Sequence, residues 1–396
     1  MPGAPNRAIE ILAQLVGFDT TSHRSNLEMI SFIEEYLARH GVESQRIESD
    51  DGTKSNLLAT IGPAREGGVV LSGHTDVVPV TGQDWTSDPF ELTARIVDGE
   101  ARQYARGSAD MKGFIAAVLD KVPTLAAADL QTPIHIALSY DEEVGCLGVG
   151  RMIARLGDAV PMPALTIVGE PTNMQIVTAH KGIRGFETVF TGVAAHSSAP
   201  HLGANAIGFA GEFMDFLSTL AAEAEATAMP KSGFTPPWTT FNIGQIEGGE
   251  ALNIIAERCV VSWEFRPLPE VDADRIEARV RAFLDDELRP RIKAVHPDAD
   301  VQLSPLAAVP PLRADPGSPA ERLVRYLTGA NATHTVAFVA EASQFQQHGI
   351  PAVICGPGDI AQAHQPDEWI AEEELASCAA FLDRLQDWCV SGDPIP

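Results

Sequence analysis

Acidic and imidazole side chains recur just past short apolar runs in this chain. Val69–Ser72 leads into Gly73-His74-Thr75-Asp76, and Ile134–Ser139 leads into Asp141-Glu142-Glu143. Leu165–Val168 leads into Gly169-Glu170-Pro171-Thr172. Pro351–Cys355 leads into Gly356-Pro357-Gly358, with His364 after a short loop. Asp110, in Ala109-Asp110-Met111-Lys112-Gly113, opens a helix-like segment. Each motif alone is weak. A solitary His-x-Asp is most often a turn with a satisfied histidine, Asp-Glu-Glu before glycine a solvated loop, and Gly-Glu-Pro-Thr an ordinary turn. Their shared placement is the signal, because open parallel sheets bind ligands outside the carboxyl ends of their strands.

So many carboxylates in one place repel each other and force some to hold protons unless a cation stands between them. Two imidazoles with several carboxylates suit zinc or a similar borderline metal, whereas calcium and magnesium prefer oxygen cages. His74, His364, Asp110, Glu143 and Glu170 are too many ligands for one four-coordinate zinc with an open position. They suffice for two if one carboxylate bridges, and paired metals about 3.5–4 Å apart are typical of hydrolases.

The segments that must position these groups alternate between helix and strand. Residues 1–18 read as an amphipathic helix with Ile9, Leu12, Leu15 and Val16 on one face, and Leu27–His40 as a helix closed by Gly41. Near-continuous apolar strands follow at Asn56–Ile61, Gly68–Ser72, Ile134–Ser139 and Leu165–Val168, with a helix opening at Met111–Leu119. This is the pattern of a doubly wound α/β layer. The middle differs. Strand Gly185–Gly192, helix Asn205–Ala224, strands Thr239–Ile246 and Arg258–Phe265, helix Asp272–Arg289 and strand Asp300–Leu306 follow the β-α-β-β-α-β order of a ferredoxin-like unit. Pro-rich Val309–Pro319 is the return linker. Helices Ser318–Leu327, Ala342–His348 and Glu372–Val390, with strand Pro351–Cys355, then resume the α/β pattern. The expected organisation is an α/β catalytic domain over 1–182 and 310–396, interrupted by a ferredoxin-like domain over 183–309.

Composition narrows the class. The 396 residues are 45% apolar, enough for a sizeable core, and 28 Lys+Arg against 54 Asp+Glu give a net charge of −26. That charge opposes nucleic acid and anionic membrane surfaces as partners. No apolar run approaches the ~18 residues of a membrane helix, and the first 18 residues lack the pattern of a secretory signal. Five scattered cysteines without a CxxC fit a reducing cytoplasm.

The motifs resemble the dinuclear zinc aminoacylase/deacetylase/carboxypeptidase family of metallopeptidases over essentially the whole chain. They are Ser72–Pro79, Arg106–Gly113, Asp141–Gly145, Gly169–Thr172 and Ala195-His196-Ser197-Ser198. Ala179–Gly182, Phe265–Pro269, Glu341-Ala342 and the stretch from Gly356 to Glu368 point to its deacetylase branch. The resemblance implies that His74 and Glu170 hold one zinc, that Glu143 and His364 hold the other, and that Asp110 bridges. Cobalt is a chemically admissible substitute. It implies Asp76 as the group orienting His74 and Glu142 as the general base. It implies a homodimer formed by the inserted domain, with His196 as oxyanion donor and Asn253 near the substrate, both supplied by the partner.

For the substrate, Arg266 suits an α-carboxylate, because a guanidinium fork matches a carboxylate bidentately. The alternative for Arg266 is a salt bridge at a strand end. Glu341 points to a substrate with a distal ammonium, where desuccinylase relatives carry Gly, Thr and Ser. The expected reaction is removal of the acyl group from an N-acetylated cationic amino acid. A broader N-acyl-amino-acid hydrolase or a succinyl-diaminopimelate desuccinylase-like enzyme is the alternative. An inactive amino-acid-binding homologue would need a lost base or ligand, and every such position is filled.

Overall fold

A computed structural model describes residues 7–396, so the first six residues of the expected N-terminal helix lie outside the described part. The chain forms two compact units. One comprises residues up to Ala179 with Leu312–His334 and Ala340–Pro396, and the other comprises His180–Pro311 with Thr335–Val339.

The first unit is built on a mixed sheet. Six of its eight strands run in the order Ser44–Glu48, Ser55–Ile61, Ile134–Ser139, Gly68–His74, Pro163–Pro171, Ala352–Gly356. The last four are mutually parallel, whereas Ser55–Ile61 runs antiparallel to Ile134–Ser139 and Ser44–Glu48 antiparallel to Ser55–Ile61. The apolar run at 56–61 reads like its parallel neighbours because it too is covered on both faces, and periodicity carries no strand direction. Helix Gly113–Ala127 packs against both Arg7–Val16 and Glu372–Ser391. The buried stripe of Arg7–Val16 is Ala8, Ile11, Leu12, Leu15 and Val16, with Ile9 only partly covered. A three-stranded sheet of Thr93–Val97, Glu100–Tyr104 and Trp369–Ala371 lies in the same unit and was not expected.

Helix Gly113–Ala127 starts later than the expected Met111. A five-residue wide turn, Ser108–Lys112, precedes it with non-helical dihedrals at Asp110 and Met111 and a cis Asp110–Met111 peptide. Buried Lys112 anchors this turn by donating to the carbonyls of Leu15 at 3.0 Å and Phe18 at 2.8 Å. A Cβ at Gly169 would stand 2.1 Å from the Phe114 ring. Only glycine lets that ring, and with it the turn carrying Asp110, pack against the strand bearing Glu170.

The second unit carries a four-stranded antiparallel sheet in the order Thr240–Gly248, Arg258–Arg266, Ile183–Thr191, Asp300–Val309. That is the ferredoxin-like arrangement, with helix Ala206–Ala226 packed on it. Asn205 caps that helix by accepting from the amides of Ile207 and Gly208. Phe186, Phe190, Phe213, Trp263 and Phe265 form its core. The second helix runs on past Arg289 to Val295 through a wide-turn stretch at Phe283–Leu288. Pro290, which has no N–H to donate, falls directly after this wide-turn stretch. Among the described residues no helix is long and apolar enough to cross a membrane.

Candidate metal centre

The carboxyl ends of the four parallel strands deliver the residues singled out in the sequence. His74 is the last residue of Gly68–His74, Glu170 lies near the end of Pro163–Pro171, and Glu142 and Glu143 follow Ile134–Ser139. His364 lies in the loop after Ala352–Gly356. Two groups of potential ligand atoms result, His74–Asp110–Glu170 and Asp110–Glu143–His364, the atoms of each lying within 4.8 Å of one another. Asp110 is common to both. His74 Nε2 stands 2.9 Å from Asp110 Oδ1 and 3.8 Å from Glu170 Oε1. His364 Nε2 stands 3.0 Å from Glu143 Oε2 and 3.5 Å from Asp110 Oδ2.

The electrostatics are those of a place that wants positive charge. Burial, then neighbouring carboxylates, push Glu142 and Glu170 well above the ordinary glutamate range. Burial raises Glu143 to about 7 against its hydrogen bond with His364. Burial would raise Asp110 as well, but hydrogen bonds with His364 and His74 outweigh it and hold that carboxyl low. Burial would lower His74, yet Asp110 and Glu170 drive it far up, and Asp110 and Glu143 bring His364 to about 10. Glu170 Oε1 is buried with no hydrogen-bond partner. Two nitrogen and three carboxylate donors, one of them an orphaned buried oxygen, fit a pair of borderline divalent cations with Asp110 between them.

Asp76 lies beside both His74 and the turn that carries Glu142. The His74 Nδ1–H donates to the backbone carbonyl of Asp76 at 2.9 Å, which leaves Nε2 facing Asp110. The Asp76 carboxylate stands 3.7 Å from that nitrogen. It also accepts from the amides of Glu142 at 3.1 Å and Glu143 at 3.3 Å and from the Ser22 hydroxyl at 2.8 Å. Consecutive amides on a tight turn form an anion-binding concavity. Asp76 therefore ties the turn bearing Glu142 to the strand end bearing His74. Lys54, paired with Asp141 and the Ser22 carbonyl, closes the same turn from outside.

Glu341 is buried in the same unit, one oxygen 3.4 Å from the Ser72 hydroxyl and the other without a partner. The remaining expected site residues belong to the second unit. Arg266 pairs with Glu264 at 2.8 Å, the salt bridge that was its alternative reading. His196 is exposed, its Nδ1 accepting from the Ser198 hydroxyl at 2.7 Å and amide at 3.2 Å. The loops of His196 and Asn253 are adjacent, since the Ser197 amide donates to the Asn253 carbonyl at 3.0 Å. His180 and Lys181, where the chain leaves the first domain, are buried, and Lys181 donates to the Trp238 carbonyl at 2.7 Å.

Sequence reasoning passed over the support of this centre. Glu368, inside a motif already noted, accepts from Arg106 at 2.7 Å and from the amides of Gly107, Ala109 and Asp110 at 3.0, 2.9 and 3.1 Å. Both Arg106 and Glu368 are 1% exposed. A buried charge pair is expensive unless its lone pairs are filled, and here the backbone beside Asp110 fills them. An arginine and a glutamate 262 residues apart carry no local signal for this pairing.

Strand ends that carry this ligand set define a metal-dependent amidohydrolase on an α/β scaffold. Residues 70–387 match Peptidase family M20/M25/M40, and the chain belongs to that family. It is 37% identical to an acetylornithine deacetylase of Myxococcus xanthus over 94% of this chain and 95% of that one. It is 34% identical to an acetylornithine deacetylase of Proteus mirabilis over 97% of both chains. Among solved structures, an M20 family metallo-carboxypeptidase of Sulfolobus solfataricus superposes with a TM-score of 0.76 at 18% identity, over 98% of this chain and 100% of that one. A dinuclear metal-binding M20 peptidase of Bacillus subtilis gives 0.63 at 15% identity, over 98% of both.

Proposed function

We propose that the chain is a zinc-dependent deacetylase that hydrolyses N2-acetyl-L-ornithine to L-ornithine and acetate, a reaction of arginine synthesis, in the cytoplasm. The observation that supports it most is Asp110, whose two oxygens face His74 and His364 in turn. His74 with Glu170 would hold one zinc, Glu143 with His364 the other, and Asp110 would bridge. Bound there, two zinc ions polarise the acetyl carbonyl and acidify the attacking water, and cobalt is an admissible substitute.

Glu142 takes a proton from the water as its oxygen attacks the acetyl carbon. As the C–N bond breaks, the same carboxyl returns that proton to the departing nitrogen, leaving acetate and the free amine. Asp76 keeps this base in place through the two amides it accepts from. Glu341, buried with one unpartnered oxygen, offers an acceptor for a distal ammonium. Arg266 would take the α-carboxylate. Glu264 engages its Nε and Nη2, and a guanidinium has five N–H donors, so donors remain.

His196 would donate to the developing oxyanion and Asn253 would contact the substrate, each from the partner of a homodimer formed by the ferredoxin-like unit. Support for that dimer is the exposed edge strand Thr240–Gly248 and the apolar side chains of Leu202, Ile246, Leu252 and Ile254 in the same unit. The five cysteines are buried and unpaired, which suits a reducing compartment. The test is a hydrolysis panel of N-acetylornithine, N-acetylcitrulline, N-acetylmethionine and N-succinyl-diaminopimelate with added zinc. The highest kcat/KM is expected for N-acetylornithine. Preference for the succinyl or the methionine substrate would overturn the assignment.

A further inference from the structure

We propose that Gln83 is a positioning residue for the His364 arm of the metal centre, tied through Arg106 and Glu368 to the turn that carries Asp110. The inference rests on the dinuclear reading above. His364 sits in a loop, its side chain 52% exposed, with a left-handed φ of 62°. A non-glycine residue holds that conformation only when its surroundings over-determine it. One short loop supplies hydrogen bonds at both ends of this segment, and Arg95 adds an ion pair to Asp367 at 4.0 Å. Gln83 Nε2 donates to the His364 carbonyl at 2.9 Å. Three residues on, the Thr86 amide and hydroxyl donate to the two oxygens of Asp367 at 2.9 and 2.8 Å, and Asp367 also has a left-handed φ, 54°.

The orientation of the Gln83 amide is forced. Its oxygen accepts from Arg106 Nη2 at 2.5 Å and from Trp85 Nε1 at 3.0 Å, both pure donors. Its nitrogen is thereby turned to the His364 carbonyl, a pure acceptor. Arg106 in turn is held by Glu368, the carboxylate that accepts from the Asp110 amide. One continuous chain of hydrogen bonds thus runs from the backbone of Asp110 to the backbone of His364. His74 has no such need, because it is the terminal residue of a central strand.

The experiment strips the wild type, Gln83→Ala, Gln83→Glu and His364→Ala with a chelator and titrates zinc back against a competing chelator. His364→Ala identifies the cation of the His364 arm. Gln83→Glu keeps an acceptor for Arg106 and turns a charged oxygen, which cannot donate, to the His364 carbonyl. In both Gln83 variants the dissociation constant of that cation should rise about 10–100-fold, the usual effect of removing a support behind a metal ligand. The other constant should stay at the wild-type value in both variants, and the thermal midpoint should stay there in Gln83→Glu, because Gln83→Ala also takes an acceptor from buried Arg106. Two unchanged constants, or two that rise together, would overturn the positioning role. A wild type that takes up fewer than two equivalents would instead overturn the dinuclear reading beneath it.

Discussion

His74 and His364 present the same nitrogen to opposite oxygens of Asp110, yet the first side chain is 1% exposed and the second 52%. His74 ends a central strand, and its other nitrogen is committed to a carbonyl two residues on. Its three-residue group is buried throughout, whereas that of His364 runs from buried Asp110 to an exposed loop. A sheet positions the one imidazole by the same hydrogen bonds that make the fold. The other has to be held by side chains brought from elsewhere. A dinuclear centre can therefore have one arm that is part of the folding core and one that is added to it, with different tolerances to change.

The largest effect expected belongs to a residue in neither arm. Glu142→Ala should lower kcat by about 10²–10⁴, the usual worth of a general base, while both cations remain bound. Loss of either cation in that variant, read by metal analysis, would place Glu142 in an arm after all. The arms themselves should separate in stability. His74→Ala leaves buried carboxylates without their partner, and breaking a buried charge pair in this way costs about 3–5 kcal/mol. His364→Ala also leaves Glu143 and Asp110 without a partner but removes a half-exposed ring, and should cost less than His74→Ala. Denaturant unfolding of the metal-free variants measures the gap, and equal losses would erase the distinction.

The last effect concerns another buried imidazole. His135, on the strand that leads to Glu142, is fully buried like His74. It hydrogen-bonds Thr60 and has no carboxylate beside it, so burial lowers it to about 4 rather than raising it. The folded state then binds its proton less readily than the unfolded chain. Its stability contribution is complete above about 6.5 and is lost as pH falls toward about 4, by no more than about 3 kcal/mol. His135→Gln should flatten that part of the stability profile between pH 7 and 4.5. An unchanged slope would mean that the ring reaches solvent when charged.

Much of the centre was legible in sequence because its ligands sit at fixed offsets from apolar strands. His74, Glu142, Glu143 and Glu170 each follow a run whose burial the periodicity reveals, and a parallel sheet sends all those ends the same way. The ferredoxin-like order was legible for a similar reason, since half-exposed strands and capped helices are local patterns. For Asp76 only the local half of its surroundings was legible. Its short distance in sequence to His74 suggested the ring, while the amides that hold it belong to a turn 66 and 67 residues away. The strands Thr93–Val97 and Glu100–Tyr104 were missed because they are short and rich in charged and polar residues, with no apolar run to mark them.

The sequence by itself determined which side chains can act and which element each one ends, because propensity, burial pattern and turn residues act over a few neighbours. Tertiary structure alone decided what holds them. Glu368 reaching the amides of Gly107, Ala109 and Asp110, Gln83 reaching His364, and Asp76 reaching Glu142 are pairings between distant segments. Their partners are backbone groups, which every residue carries alike, so no residue type marks them in advance.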